Sequence, residues 1–215
     1  SAVNQLAPLS HTFRAMGARR VLIDGAAGRK SLAGAEPGAC AILCVGASMD
    51  GGVSAIAAET AHTCRLFATP EAEHTGLWSA LSRETARYAL YTLEGERLPL
   101  ALEENGQPRW HELPREKCVL WIGGGVTGPT LRTLARRGAP IVLAAPDATH
   151  FLCDRTSTET FHRCGGELLV RQKLTIAAVT ANPWSAYGKH LDGAELLRAL
   201  RSVVTVPVVN VKGEN

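Results

Sequence analysis

Two hydrophobic rhythms alternate along this chain, one with the spacing of a helix face and one made of short apolar runs of strand length. Leu6, Leu9, Phe13 and Met16 recur at helical spacing ahead of Gly17, which predicts a first helix with a glycine stop. Arg20–Asp24 (RVLID) and Ala39–Val45 predict two strands, separated by a loop holding Pro37-Gly38. Helical patterns come next, from Val53 to about Leu66 and over Glu73–Arg87. The middle of the chain changes character. Tyr88–Thr92, Arg97–Leu102 and Arg109–Leu113 are short segments divided by Glu94-Gly95 and Asn105-Gly106, which are hairpin turn signals.

Beyond the middle the first rhythm resumes. Strands are predicted at Cys118–Ile122, Pro140–Ala145, Glu167–Arg171, Leu174–Ala181 and Val206–Val211. Helices are predicted at Thr130–Arg137, from Pro146-Asp147 towards Cys164, and at Asp192–Val203 with Leu196, Leu197 and Leu200 on one side. Strands alternating with helices predict an α/β fold: an open, mostly parallel, Rossmann-like sheet flanked by helices, with a small antiparallel β-meander insert. The expected organisation is a single α/β domain over 1–215, with halves at about 1–87 and 118–215 and the meander at about 88–117.

Composition narrows the class without naming a chemistry. The 215 residues are 46% hydrophobic and 20% charged, with a net charge of +3, which predicts a globular chain and leaves no basic excess for nucleic acid or a membrane surface. No apolar run reaches the length of a membrane span. Six cysteines occur, and Cys40 and Cys44 on one predicted strand would share a face about 13 Å apart, too far for a disulfide or one metal ion. The expectation is reduced thiols, mostly buried, in a cytoplasmic protein. The seven histidines lack metal-ligand spacing, so no metal site is expected. The chain opens on Ser1, which suggests a fragment.

In open α/β sheets, ligands sit beyond the carboxyl ends of the strands. Reading those ends collects Asp24, Gly25, Arg29, Lys30, Gly46, Ser48, Gly124, Gly125 and Asn182 as the candidate binding residues. The glycines would open backbone amides to an anion, and Arg29 and Lys30 would supply charge. Tight turns and a solvated charge cluster are the plainer reading of the same residues. Gly25–Ser31 fails as a phosphate loop because Arg29 takes the place of its second glycine. Gly123, Gly125 and Gly128 approach a dinucleotide fingerprint, yet Pro129 comes at once and no acidic strand end lies at the needed distance. Asp24, Asp147 and Lys189 are the ready candidates for an acid or base.

Val21–Ala33 (VLIDGAAGRKSLA), with Val45-Gly46-Ala47-Ser48 further on, resembles the IDGA-x-x-R-x-S-x-A … TGA pattern of proteins encoded with cobalamin-dependent aminomutases of lysine and ornithine fermentation. Ala178–Pro183 and Val206–Val211 resemble that family's NP … IPV-x-DV close. The chain departs from the pattern at Val45 and at Asn210, where the family has Thr and Asp. The resemblance implies an accessory protein, similar to a component of the ATP-linked reactivase that exchanges damaged cobalamin. It further implies an aminomutase or a second accessory subunit as partner, and a C-terminal position in a longer protein. ATP with magnesium would then bind only with that partner or a missing segment. A homo-oligomer is left open. The alternative from the residues alone is a small-molecule enzyme or binding protein with a phosphate or carboxylate ligand at the strand-end crevice.

Overall fold

The computed structural model describes residues 3–24 and 40–211. In chain order these form α1 (Val3–Ala15), β1 (Cys40–Gly46), α2 (Val53–Phe67), α3 (Thr75–Ser82), β2 (Tyr88–Tyr91), β3 (Arg97–Leu98), β4 (Cys118–Ile122), β5 (Val126–Thr127) and α4 (Gly128–Ala135). Next come β6 (Ile141–Ala145), β7 (Phe151–Leu152), α5 (Arg155–Arg163), β8 (Gly166–Val170), β9 (Thr175–Asn182), α6 (Gly193–Val203) and β10 (Val208–Asn210). The fold class is α/β. The strands do not join one sheet, however, and the chain divides into two compact units, Ser1–Ala68 with Leu174–Asn215, and Thr69–Lys173. The expected seam at the meander is not where this division falls.

In the first unit β9 lies between β1 and β10, and both pairings are parallel. The path from β1 to β9 and that from β9 to β10 step across the sheet in the same direction. A right-handed crossover then places α2 and α6 on the same face, where they pack on each other and on β9. Val45, Val179, Ala181 and Val208 are buried on that face with Ile56, Leu196, Leu197 and Leu200. Asp192 caps α6 by accepting a hydrogen bond from the Glu195 N–H at 3.0 Å.

The second unit holds a five-stranded sheet in the order β3-β2-β4-β6-β8. Strands β4, β6 and β8 are parallel, while β2 runs antiparallel to both β3 and β4. Every residue of β4 (CVLWI) and β6 (IVLAA) is buried, as expected of strands covered on both faces. Val119, Trp121, Val142 and Ala144 pack with Leu77, Leu81 and Tyr91. The alternate residues Leu120 and Leu143 are fully buried, as are Leu131, Leu134 and Phe161 of the helices α4 and α5. A separate small parallel pair joins β5 to β7.

Four expectations are corrected. Arg20–Asp24 is not a strand, and Leu22 is 92% exposed. A strand exists through its ladder, and Arg20–Asp24 enters none: the first sheet consists of β1, β9 and β10. The helix expected over Glu73–Arg87 stops at Ser82, and Glu84 instead folds its side chain back onto the backbone N–H groups of Thr85 and Ala86. The long helix expected after Pro146 breaks into a 3-10 turn at Ala148–His150, then β7, then α5, because Asp147 and Asp154 each cap a separate start. Arg109–Leu113 is a 3-10 turn over Trp110–Glu112 rather than a third meander strand. The turn signals themselves lie where hairpin-like contacts form: β2 pairs with β3 around Glu94-Gly95, and Leu102 bridges to Pro108 around Asn105-Gly106.

A buried carboxylate ties the loop after α3 to the second sheet. Glu84, whose side chain is 4% exposed, accepts bonds from the Tyr91 hydroxyl, from the N–H groups of Thr85 (2.8 Å) and Ala86 (2.7 Å), and from Arg97 Nη1 (2.9 Å). Trp121 Nε1 donates to the Ala86 carbonyl at 2.9 Å, and Arg171 stacks over the Trp121 ring while donating to the Glu84 carbonyl. Burial works to raise the Glu84 pKa. The Tyr91 hydroxyl, the Ala86 N–H, the Arg97 charge and the Thr85 N–H outweigh it, leaving the carboxyl below its ordinary value. Burial, and then the hydrogen bond and charge of Glu84, push the Tyr91 phenol up to about 12.

This knot sets a pH dependence. The folded carboxyl has the lower pKa, so its stabilisation is present at neutral pH and is lost as pH falls from 4.5 through the folded value. Glu84→Gln is expected to cost about 1.5–3 kcal/mol at pH 7, the range for hydrogen bonds to a charged group. Urea melts monitored by tryptophan fluorescence at pH 7 and pH 4 should show the gap between wild type and variant shrinking at the lower pH.

Candidate functional site

The expected site residues fall in three places. Gly25, Arg29 and Lys30 lie outside the described residues. Asp24 is exposed and stands after no strand, so the topological ground for including it is gone. Gly46, Ser48 and Asn182 belong to the first unit, whereas Gly124 and Gly125 come after β4 in the second.

Gly46, Ser48 and Asn182 are brought together by strand register. Gly46 is the partner of Asn182 at the carboxyl end of the β1–β9 ladder. The ladder closes there with the Ala47 N–H donating to the Asn182 carbonyl at 2.9 Å. A β-carbon at position 46 would run into that same carbonyl, so glycine is a steric requirement of the pairing. The chain then turns through Ser48–Gly52 into α2, whose start is capped by no side chain.

Facing this turn is the segment after β9, Pro183–Leu191. Trp184 bridges to His190 with their rings edge to face at 4.2 Å, and the Ser185 N–H donates to the Lys189 carbonyl at 2.9 Å. The Ser48 hydroxyl donates to Ser185 Oγ at 3.3 Å. Lys189 Nζ donates to the carbonyls of Met49 (3.1 Å) and Gly51 (2.6 Å). An ammonium carries three N–H groups, so one remains beyond these two contacts. Asn182 Oδ1 accepts from the Trp184 N–H at 3.1 Å and so shapes the turn. The Ser48 proton is committed to Ser185, whose Oγ also accepts from the Tyr187 N–H at 3.1 Å, so the cluster presents the Ser185 O–H and one N–H of Lys189 at the carboxyl end of a parallel strand pair. That donor set suits an oxyanion.

Ser185 was not among the residues that strand ends alone select. The signal was present in Asn182-Pro183-Trp184-Ser185, where turn-forming residues succeed a strand and return the chain across its end.

The glycine loop of the second unit has a different character. Gly125 sits against Leu152, and Gly128 fits against Asp154, Ser157 and Arg132, which are joined by hydrogen bonds of 2.6 Å from Arg132 to Ser157 and from Ser157 to Asp154. Gly124 faces open space, with the nearest atom on Arg87 at 4.0 Å. Close packing therefore accounts for the near-fingerprint spacing. Asp147, a candidate base, spends Oδ1 on the Thr149 N–H (2.8 Å) and hydroxyl (2.5 Å) and faces His150 Nδ1 at 3.2 Å. Burial works to raise its pKa, but the His150 and Thr149 bonds outweigh it and hold the carboxyl below its ordinary value. It is a turn cap. Among the described residues no three His, Cys, Asp or Glu side chains gather as a metal site would need.

The expectation of mostly buried thiols is corrected. Cys118 and Cys153 are buried and Cys64 is half-buried, but Cys40 and Cys44 are exposed on the outer face of β1 and Cys164 is exposed at the C-terminal cap of α5. Among the described residues no helix is long and apolar enough to cross a membrane. No family model, no curated protein and no solved structure matches this chain.

The two glycines separate cleanly by experiment. Gly46→Ala is expected to cost about 1–3 kcal/mol, the scale of forced overpacking, whereas Gly124→Ala should stay within about 0.5 kcal/mol. Chemical denaturation of both variants measures the contrast.

Proposed function

We propose that this chain is an accessory binding protein whose first unit holds a small oxyanion, a phosphate or carboxylate, at the carboxyl ends of β1 and β9. The observation that carries the reading is the convergence of Ser48, Ser185 and Lys189 on one turn beside the uncapped start of α2. An N–H-rich helix start with a neighbouring ammonium favours negative charge. The description as a Rossmann-like sheet belongs to the same proposal, supported by three parallel strands with crossover helices.

The accessory role rests on the resemblance at Val21–Ala33 and at Ala178–Pro183 to the reactivase-type proteins of cobalamin-dependent aminomutases. On that reading the partner is the aminomutase or a second accessory subunit, in the cytoplasm. An enzyme acting on a small anionic substrate is the alternative. The capped state of Asp147 and the engagement of Lys189 by two backbone carbonyls favour binding over catalysis.

Titration calorimetry with inorganic phosphate and with acetate tests the site. Saturable binding near millimolar, about −4 kcal/mol, is expected for one of them. Ser185→Ala and Lys189→Met should each weaken it about tenfold, the effect of losing a charge-assisted hydrogen bond. No saturable heat with either anion, or equal affinity in both variants, would overturn the reading.

A further inference from the structure

The first unit is discontinuous. The chain leaves it at Ala68, runs through the whole of the second unit and returns at Leu174. The second unit is zipped shut where the chain enters and leaves it. Glu71 is the parallel bridge partner of Val170, the last residue of β8, and the Val170 N–H donates to the Pro70 carbonyl at 2.9 Å. The Lys173 N–H donates to Glu71 Oε1 at 2.6 Å. Ala72 anchors the entering segment in the core beside Val119, Trp121 and Val142. Hydrogen-bonded strands lie about 4.8 Å apart, so the folded second unit holds its own entry and exit side by side.

This zip sets the length of loop that the β1–β9 ladder has to close. With the second unit folded, Gly46 and Thr175 are joined in effect by α2 and its flanking residues, about 30 in all. With the second unit unfolded, the same two ends are joined by a flexible chain of about 130 residues. Closure probability falls with the 3/2 power of loop length, so the longer loop pairs the strands about tenfold less favourably. The turns that bring Ser48 to Ser185 come directly after these two strands and share their fate.

We propose that the second unit is a conformational clamp on the first: its folded base holds β1 and β9 in register, and its unfolding loosens the strand ends where Ser48 meets Ser185. The clamp acts through the connecting chain. It lies in the ladder itself and holds whatever the turns bind, so it does not rest on the anion reading.

The test uses the full chain with its native cysteines changed to serine and with Glu71→Cys and Val170→Cys, bridge partners close enough for a disulfide. Leu120→Asp with Leu143→Asp then puts two carboxylates at fully buried positions of β4 and β6 and unfolds the second unit. Hydrogen exchange read by mass spectrometry verifies that β4 and β6 have lost protection. In the reduced chain, protection of β1 and β9 is expected to fall about tenfold below that of the chain keeping Leu120 and Leu143. Oxidation, which bonds position 71 to position 170 and shortens the loop again, should restore it. Unchanged protection of β1 and β9 in the reduced chain would overturn the clamp. A loss that oxidation leaves in place would overturn it too, because loop closure would then not be the cause.

Discussion

The first unit depends on the pairing of β1 with β9. Cys40–Gly46 and Thr175–Asn182 are separated by the whole of the second unit in sequence, so the parallel ladder must offset the entropy of closing a very long loop. That cost grows only slowly with length, which is why an entire compact unit can sit within the connection. Once the ladder forms, β9 offers one remaining edge, β10 takes it, and right-handed crossovers send α2 and α6 to one face. The approach of Gly46 to the Asn182 carbonyl and the uncovered outer face both result from this one pairing.

The second unit is held differently. Its central strands β4 and β6 are buried along their full length, and its polar groups are gathered into a knot around Glu84. A buried carboxylate is costly unless its oxygens are satisfied. Here Tyr91, Thr85, Ala86 and Arg97 satisfy them, joining the loop after α3 to β2 and β3. Trp121 and Arg171 extend the tie to β4 and to the end of β8. The arrangement makes this unit sensitive to acid, through Glu84 and also through the capping carboxylate Asp147.

Strand ends bring chemistry together in both units, with different results. In the second, Gly125 and Gly128 are filled by packing and Asp147 by capping, so little is left to meet a ligand. In the first, the turns after β1 and β9 face each other and leave a hydroxyl and an ammonium grouped on one side. The difference lies in how the chain leaves the strands: by a tight helix entry at Thr127-Gly128 in one case, and by the longer excursion Pro183–Leu191 in the other.

The sequence by itself determined the α/β class, because the runs around Cys118–Ile122, Pro140–Ala145 and Leu174–Ala181 and the amphipathic Asp192–Val203 carry periods that local sterics and burial impose. It also located turns wherever Gly or Asn permits a reversal, as at Glu94-Gly95. It placed Gly46, Ser48 and Asn182 at strand ends, and these do come together. What it could not decide was pairing. Nothing in the apolar period of RVLID distinguishes a strand with a partner from one without, and Leu22 stands exposed in a segment that joins no ladder. Nor could it choose among competing caps, so Asp147 and Asp154 divided one expected helix into two elements. Which strands share a sheet, which sheet face stays bare, and that Ser185 meets Ser48 are long-range facts. They are decided by tertiary contact, because hydrogen-bond ladders and crossover handedness act between residues far apart in the chain.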